Sequence, residues 1–308
     1  MKKSVLLNLL LIFFLLGCES EKSQSGVDVF TNGSHSFTSD SPELAGVMKI
    51  LTNRSGLCTG QAVSTSTMLT AAHCIEGFLR QPFVEVCIES GINADECSTN
   101  FHIPDEYLQG QNPQRSVFDV AIVQFDRPIF DSYFAVRHDE NPLATGDEFY
   151  IIGYSPNNPD PGQSLAVSAQ DRDCVDTGCW GDSRVQDYIP EIDANDAPVT
   201  EAVTILSSIN EGVVTRGGDS GGPAIDKEFC SLFGVLSRGD EFTNLHTNLT
   251  YTPVKNWLLN SVQDDNSIYI CGIHGNDPEH CSLDGLYFPK KDPVTERINC
   301  VSLNSDII

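Results

Sequence analysis

From about residue 29 to about residue 262 the apolar positions fall in short β-branched runs broken by Gly, Pro, Asn and Asp. Gly46 to Leu51, Gln61 to Thr70, Phe83 to Ile88, Val120 to Phe125, Glu148 to Tyr154, Leu165 to Ala169, Val199 to Ile205 and Phe233 to Ser237 are examples. Many short strands with turn residues between them predict an all-β sandwich or a pair of barrels. One helix is expected late: Pro253 stands where a first turn tolerates proline, and Val254, Trp257 and Leu258 recur at helical spacing before Asn260. It should pack on the β core. After Val262 the chain turns polar, with Cys271, Cys281 and Cys300 but little apolar periodicity, which predicts a disulfide-held extension over 263–308.

The N-terminus obeys a different pattern. Met1-Lys2-Lys3 is a basic start, and Val5 to Leu16 is an apolar stretch too short for a stable transmembrane helix, so 1–17 reads as an export signal. It ends Leu15-Leu16-Gly17-Cys18, which resembles the bacterial lipobox. The resemblance implies that Cys18 becomes the lipidated first residue of a bacterial lipoprotein, periplasmic or displayed at the outer membrane or cell surface. Lasting attachment to a bilayer then needs two or more acyl chains. The polar segment 18–28 is the tether.

Export changes how the cysteines are read. Of 11 Cys, assigning Cys18 to lipid leaves ten, an even number in an oxidising compartment. Cys271, His274, His280 and Cys281 are residue types that hold zinc, but an exported chain favours disulfides, and no metal or other cofactor is expected. If Cys58 pairs with Cys74 and Cys87 with Cys97, three cysteines remain in the body and three in the tail. At least one bridge then joins the two. The charge narrows the partners further. With Lys plus Arg at 18 against 43 Asp plus Glu, the net charge of −25 repels nucleic acid and leaves a solvated, self-repelling surface that keeps the protein soluble, and a monomer is expected.

Three segments carry chemistry. In Gly217-Gly218-Asp219-Ser220-Gly221-Gly222-Pro223 the glycines let the backbone turn tightly and bring N–H groups close to a substrate carbonyl. A hydroxyl is a weak nucleophile without a base beside it, and Thr70-Ala71-Ala72-His73-Cys74 offers one. Closing the Cys58 to Cys74 loop would stabilise by ~3 kcal/mol and hold the histidine's turn rigid. Asp119, heading the apolar strand Asp119-Val120-Ala121-Ile122-Val123, is a carboxylate drawn inward and in want of a partner. Taken singly each piece has a bland explanation: a histidine beside a cysteine is often structural, and a glycine-rich stretch is often only a loop.

Together, Thr70 to Cys74, Asp119 to Val123 and Gly218 to Pro223 look like the three signature segments of the trypsin/chymotrypsin-like serine proteases, in that family's order of His, Asp, Ser. The resemblance extends over about 29–262. It implies two six-stranded antiparallel Greek-key barrels with a C-terminal helix, and a serine endopeptidase acting on protein or peptide substrates. His73, Asp119 and Ser220 would be the catalytic triad, and the N–H groups of Gly218 and Ser220 the oxyanion hole. Ser237 resembles the serine that supports the catalytic aspartate and whose backbone pairs with substrate. The counterpart of the specificity-pocket base is Val214, with Gly239 and Leu249 at its walls. No acid sits at the base, so cleavage after Lys or Arg is not expected, and a partly filled apolar pocket would take small or medium apolar side chains. Arg216 replaces a half-cystine usual in the family.

In that family a freed apolar N-terminus pairs with the residue before the nucleophile, here Asp219. A cut near Val27 to Phe30 would serve, although the usual Ile-Val-Gly-Gly is absent. It would require an activating protease and would release the body from its lipid. Two rival functions share the fold: a non-catalytic homologue acting as a surface binding protein, and an ester hydrolase.

Overall fold

The computed structural model describes residues 35–37, 46–54, 56–89, 95–110, 117–137, 143–154, 178–189, 204–208, 215, 217–226, 231–239, 243–261, 287–291 and 298–302. In chain order the elements are β1 (His35–Phe37), β2 (Val47–Thr52), β3 (Gly56–Ala62), β4 (Thr67–Thr70), α1 (His73–Glu76), β5 (Val86–Ile88), β6 (Cys97–Ser98) and β7 (Asn100–His102). There follow α2 (Asp105–Gln109), β8 (Ala121–Gln124), β9 (Glu148–Gly153), β10 (Gly178–Ile189), β11 (Thr204–Ser208), β12 (Pro223–Asp226) and β13 (Leu232–Gly239). The last are β14 (Thr243–Asn248), α3 (Thr252–Ser261), β15 (Tyr287–Lys291) and β16 (Ile298–Ser302).

Both large sheets are antiparallel and curl toward closure, as the strand pattern led us to expect. In the first, the order β6-β5-β2-β3-β4-β8-β7 runs between two edges that belong to one stretch of chain, because only Thr99 separates β6 from β7. Residues 97–102 therefore link β5 to β8 and bring the sheet round on itself. In the second, β9 pairs with both β12 and β10, which closes β10-β11-β14-β13-β12-β9 into a ring of six, with β1 added beside β10. Strands in such rings face an interior on one side and covering chain on the other, so strict alternation gives way to continuous apolar burial. Met68 and Leu69 of β4 and Ile122 and Val123 of β8 are all fully buried. Phe149 meets Phe233 edge-on in the second barrel, with ring centroids 5.1 Å apart.

The expected run from Gln61 to Thr70 is two strands, because the chain turns between β3 and β4. Leu165 to Ala169 lies outside the described residues. The late helix forms as α3, burying Val254 and Leu258, with Trp257 against the core. The extension carries a feature that its weak periodicity did not reveal: β15 and β16 form an antiparallel pair in which Pro289 stands opposite Cys300. The disulfides Cys58–Cys74 and Cys87–Cys97 are formed. Cys18, Cys174, Cys230, Cys271 and Cys281 lie outside the described residues, as do the side chains of Cys179 and Cys300.

One buried group gives the fold a pH dependence. His246, on β14, is fully buried and packs edge-on against Phe149, and burial pushes its pKa down to about 3. Below its ordinary value of 6.5 the unfolded chain takes up a proton that the folded chain refuses, so stability falls as the pH drops from 6.5 toward 3. Urea midpoints measured from neutral pH down to about 4.5, above the ordinary carboxylate range, should fall for the native chain and fall less steeply for H246Q. Parallel curves for the two proteins would contradict this assignment.

Candidate active site

His73 opens α1 immediately after the buried pair Ala71 and Ala72, and the next residue, Cys74, is tied to β3 through Cys58. The small alanines let the helix start press against the first barrel, and the disulfide stops the turn from swinging away. Asp119 lies just before β8 and is 5% exposed. Its carboxylate is gripped from several sides. The His73 backbone N–H donates to Oδ1 at 2.9 Å, Nδ1 of the same residue lies 2.8 Å from Oδ2, and the Ser237 hydroxyl donates to Oδ2 at 2.5 Å. The Thr247 hydroxyl donates to the Asp119 carbonyl at 3.1 Å. Ser237 and Thr247 belong to the second barrel, so an aspartate of the first is held by both.

A carboxylate can only accept, so Nδ1 is the donor in this pair and Nε2 carries the imidazole's lone pair. Burial would lower the His73 pKa, but the hydrogen bond and charge of Asp119, helped by Glu76, outweigh it and leave the value raised above 6.5. The protonated ring adds stability that is complete below 6.5 and is lost as the pH climbs through the raised folded value.

Ser220 sits half-buried in the turn between 217 and 221. At two glycines the turn docks on β3 and β4 of the first barrel and on β9 of the second so closely that a side chain is excluded. At Gly221, whose φ is +86°, a Cβ would lie 2.3 Å from both the Thr59 carbonyl oxygen and Thr70 Oγ1. At Gly222 a Cβ would lie 2.1 Å from the Ile152 carbonyl oxygen. Cys74 Sγ is 3.9 Å from His73 Nε2 and 3.8 Å from the Ser220 carbonyl oxygen, and among the described residues no hydrogen bond joins the Ser220 hydroxyl to Nε2. Among the described residues, none accepts a hydrogen bond from the N–H of Gly218 or of Ser220.

The other expected site residues are placed as follows. Ser237 is buried on Asp119, and Gly239 is exposed at the end of β13. Leu249 is fully buried in the core, its N–H donating to the Phe233 carbonyl at 3.0 Å. Asp219 is 8% exposed and packs against Gly153, where a Cβ would lie 2.3 Å from its Oδ1. Val214, Arg216 and Cys18 lie outside the described residues. Cys58, His73 and Cys74 cluster tightly enough to suggest a metal site, but both sulfurs are committed to the disulfide and are not thiolate ligands. Sequence reasoning missed Thr247 and Thr59. Each is a threonine on a strand, and nothing local separates one that packs from one that bonds across barrels.

A family model described as Trypsin matches residues 36–258. The chain is 25% identical over 226 residues to the snake venom serine protease BthaTL of Bothrops alternatus, covering 70% of this chain and 90% of that protein. Among solved structures, a Glu endopeptidase in complex with MPD is similar at 18% identity and a TM-score of 0.51, covering 75% of this chain and 98% of that one. A scabies mite inactivated protease paralogue is similar at 17% identity and a TM-score of 0.52, covering 76% and 100%. A mutant of human heparin binding protein is similar at 13% identity and a TM-score of 0.52, covering 78% and 99%. At these identities the structural likenesses speak to the fold.

Proposed function

We propose, from the premise that this chain belongs to the trypsin family, that it is an active serine endopeptidase whose triad is His73, Asp119 and Ser220. The observation that carries the reading is the double grip of one buried carboxylate on one histidine, 2.9 Å to its backbone N–H and 2.8 Å to Nδ1. A residue kept only for packing needs neither a fixed tautomer nor a fixed ring.

In the reaction, Ser220 Oγ attacks the scissile carbonyl carbon while His73 Nε2 takes the hydroxyl proton, and Asp119 stabilises the imidazolium that forms. Negative charge develops on the carbonyl oxygen and is met by the N–H groups of Gly218 and Ser220. The tetrahedral species collapses as His73 returns its proton to the leaving amine, giving an acyl-enzyme on Ser220. Water, deprotonated by His73, then repeats the cycle and frees the acid.

The remaining expectations belong to the same proposal. With Val214 at the pocket base and Gly239 at a wall, the residue before the scissile bond is small or medium and apolar; Leu249, fully buried in the core, does not line the pocket. Cys18 carries the lipid, and the polar tether holds a monomeric body off the bilayer. A cut near Val27 to Phe30 by an activating protease would supply an amine for Asp219 and free the enzyme.

Titration with a serine-directed phosphonylating reagent should label Ser220 stoichiometrically, and the purified protein should cleave a protein as well as a simple ester. S220A should lose both labelling and turnover, the latter on the order of a millionfold. A native chain that takes no label would favour a non-catalytic binding role, and one that cleaves only esters an ester hydrolase. D119N should lower kcat by roughly 10⁴-fold. Because Asp119 raises the His73 pKa, the residual activity of D119N should switch on at lower pH than native activity; an unmoved acidic limb would count against the pairing. Cleavage of a peptide library should occur mainly after small or medium apolar residues, and a profile dominated by Arg or Glu would rule the pocket assignment out.

A further inference from the structure

The nucleophile's turn is held through both its carbonyls and its N–H groups. Gly222 N–H donates to the Asp219 carbonyl at 2.9 Å, Gly221 N–H to the Leu236 carbonyl at 2.7 Å, and Leu236 N–H to the Gly222 carbonyl at 2.8 Å. The two remaining grips come from a single residue of the opposite barrel. Thr59 N–H donates to the Ser220 carbonyl at 2.8 Å, and the Thr59 hydroxyl donates to the Gly218 carbonyl at 2.9 Å. Thr59 therefore clasps the chain on both sides of Asp219, through the two residues whose N–H groups stay unengaged.

The hydroxyl is itself fixed in direction. Besides giving its proton to Gly218, it accepts the Tyr154 N–H at 2.9 Å. Thr59 is fully buried, so no water competes for these bonds. Its carbonyl accepts the Thr70 hydroxyl at 2.8 Å, which anchors the residue to β4 as well. Tyr154 directly follows Gly153, the residue against which the Asp219 side chain packs. One hydroxyl thus ties together β3, the end of β9 and the turn.

This clasp acts where the backbone is least able to hold itself. Gly218 has φ +107° and follows another glycine, so local preference does little to set its peptide planes. Rotating the plane between Gly218 and Asp219 would break a buried hydrogen bond and leave both partners unsatisfied, which is costly. Without the hydroxyl, the directions of the amides would rest on a segment rich in glycine.

We infer that Thr59 is a positioning residue for the oxyanion hole: its hydroxyl fixes the Gly218–Asp219 peptide plane, which lies between the planes that carry the Gly218 and Ser220 N–H groups, so that these two amides converge on one point. The inference rests on the endopeptidase reading above. Thr59 touches no reacting atom in this role, so its signature lies in the transition state and not in substrate binding.

The test compares T59V, which keeps the shape without the hydroxyl, with T59S, which keeps the hydroxyl, in the full-length protein with a peptide substrate. T59V should lose about tenfold to hundredfold in kcat, less than deletion of a whole donor, with KM within about twofold. T59S should retain kcat within about threefold. A peptide aldehyde, whose adduct with Ser220 places an oxygen in the hole, should bind T59V more weakly by the same factor as the loss in kcat/KM. Native kcat in T59V, equal losses in T59V and T59S, or unchanged aldehyde affinity would each overturn the inference. If T59V fails to fold, T59A takes its place under the same criteria, and failure of both to fold would assign Thr59 to the scaffold and overturn it too. A native protein inert toward peptides and phosphonate would instead overturn the endopeptidase reading, so the two failures are distinct.

Discussion

The structure turns on the cost of keeping Asp119 out of water. A carboxylate that is 5% exposed loses most of its hydration, and only directed donors make up the loss. Here they arrive from His73 in the first barrel and Ser237 in the second, with Thr247 fastening the backbone behind. The barrels must therefore meet at this residue. A carboxylate so surrounded has no slack. That restraint passes to the imidazole, whose ring plane and tautomer follow from a partner that cannot turn.

The second constraint is contact between backbones. The turn bearing Ser220 lies against β3, β4 and the end of β9 at distances that leave no room for a Cβ on Gly221 or Gly222. Glycine here is a condition of approach as much as of turning, and it brings conformational freedom that something else must restrain. Hydrogen bonds from Leu236 and Thr59 supply the restraint. A glycine-rich segment is thus held by its surroundings.

Much of this was legible in the sequence. Ser220, His73 and Asp119 each sit in a short segment with its own character, namely glycines around Ser220, alanines before His73 and an apolar strand after Asp119. The class of fold followed from short strands punctuated by turn residues, and α3 from helical spacing after Pro253. What escaped notice is long-range. Thr59 and Thr247 read as ordinary strand residues until the second barrel is laid against the first. The β15 and β16 pair has too little apolar alternation to register in a pattern of hydrophobicity. Leu249 is the instructive middle case, since counting from Tyr251 and Thr252 set it at a pocket wall while burial places it wholly within the core. A count along the chain gives a position, but not how much of the side chain remains available.

The seam of the first barrel has a consequence beyond the site. Residues 97–102 serve as the last strand for β5 on one side of Thr99 and for β8 on the other, and Cys97 is stapled to Cys87 across the first of these pairings. Sealed in this way, the ring presents no run of unpaired amides and carbonyls along its β5 and β8 margins. Strands left open there would be templates for a neighbouring chain to extend, the first step of edge-to-edge aggregation. The seal is only a few residues long, so resistance to self-association in this half of the molecule hangs on a very short piece of chain and the covalent staple that pins it.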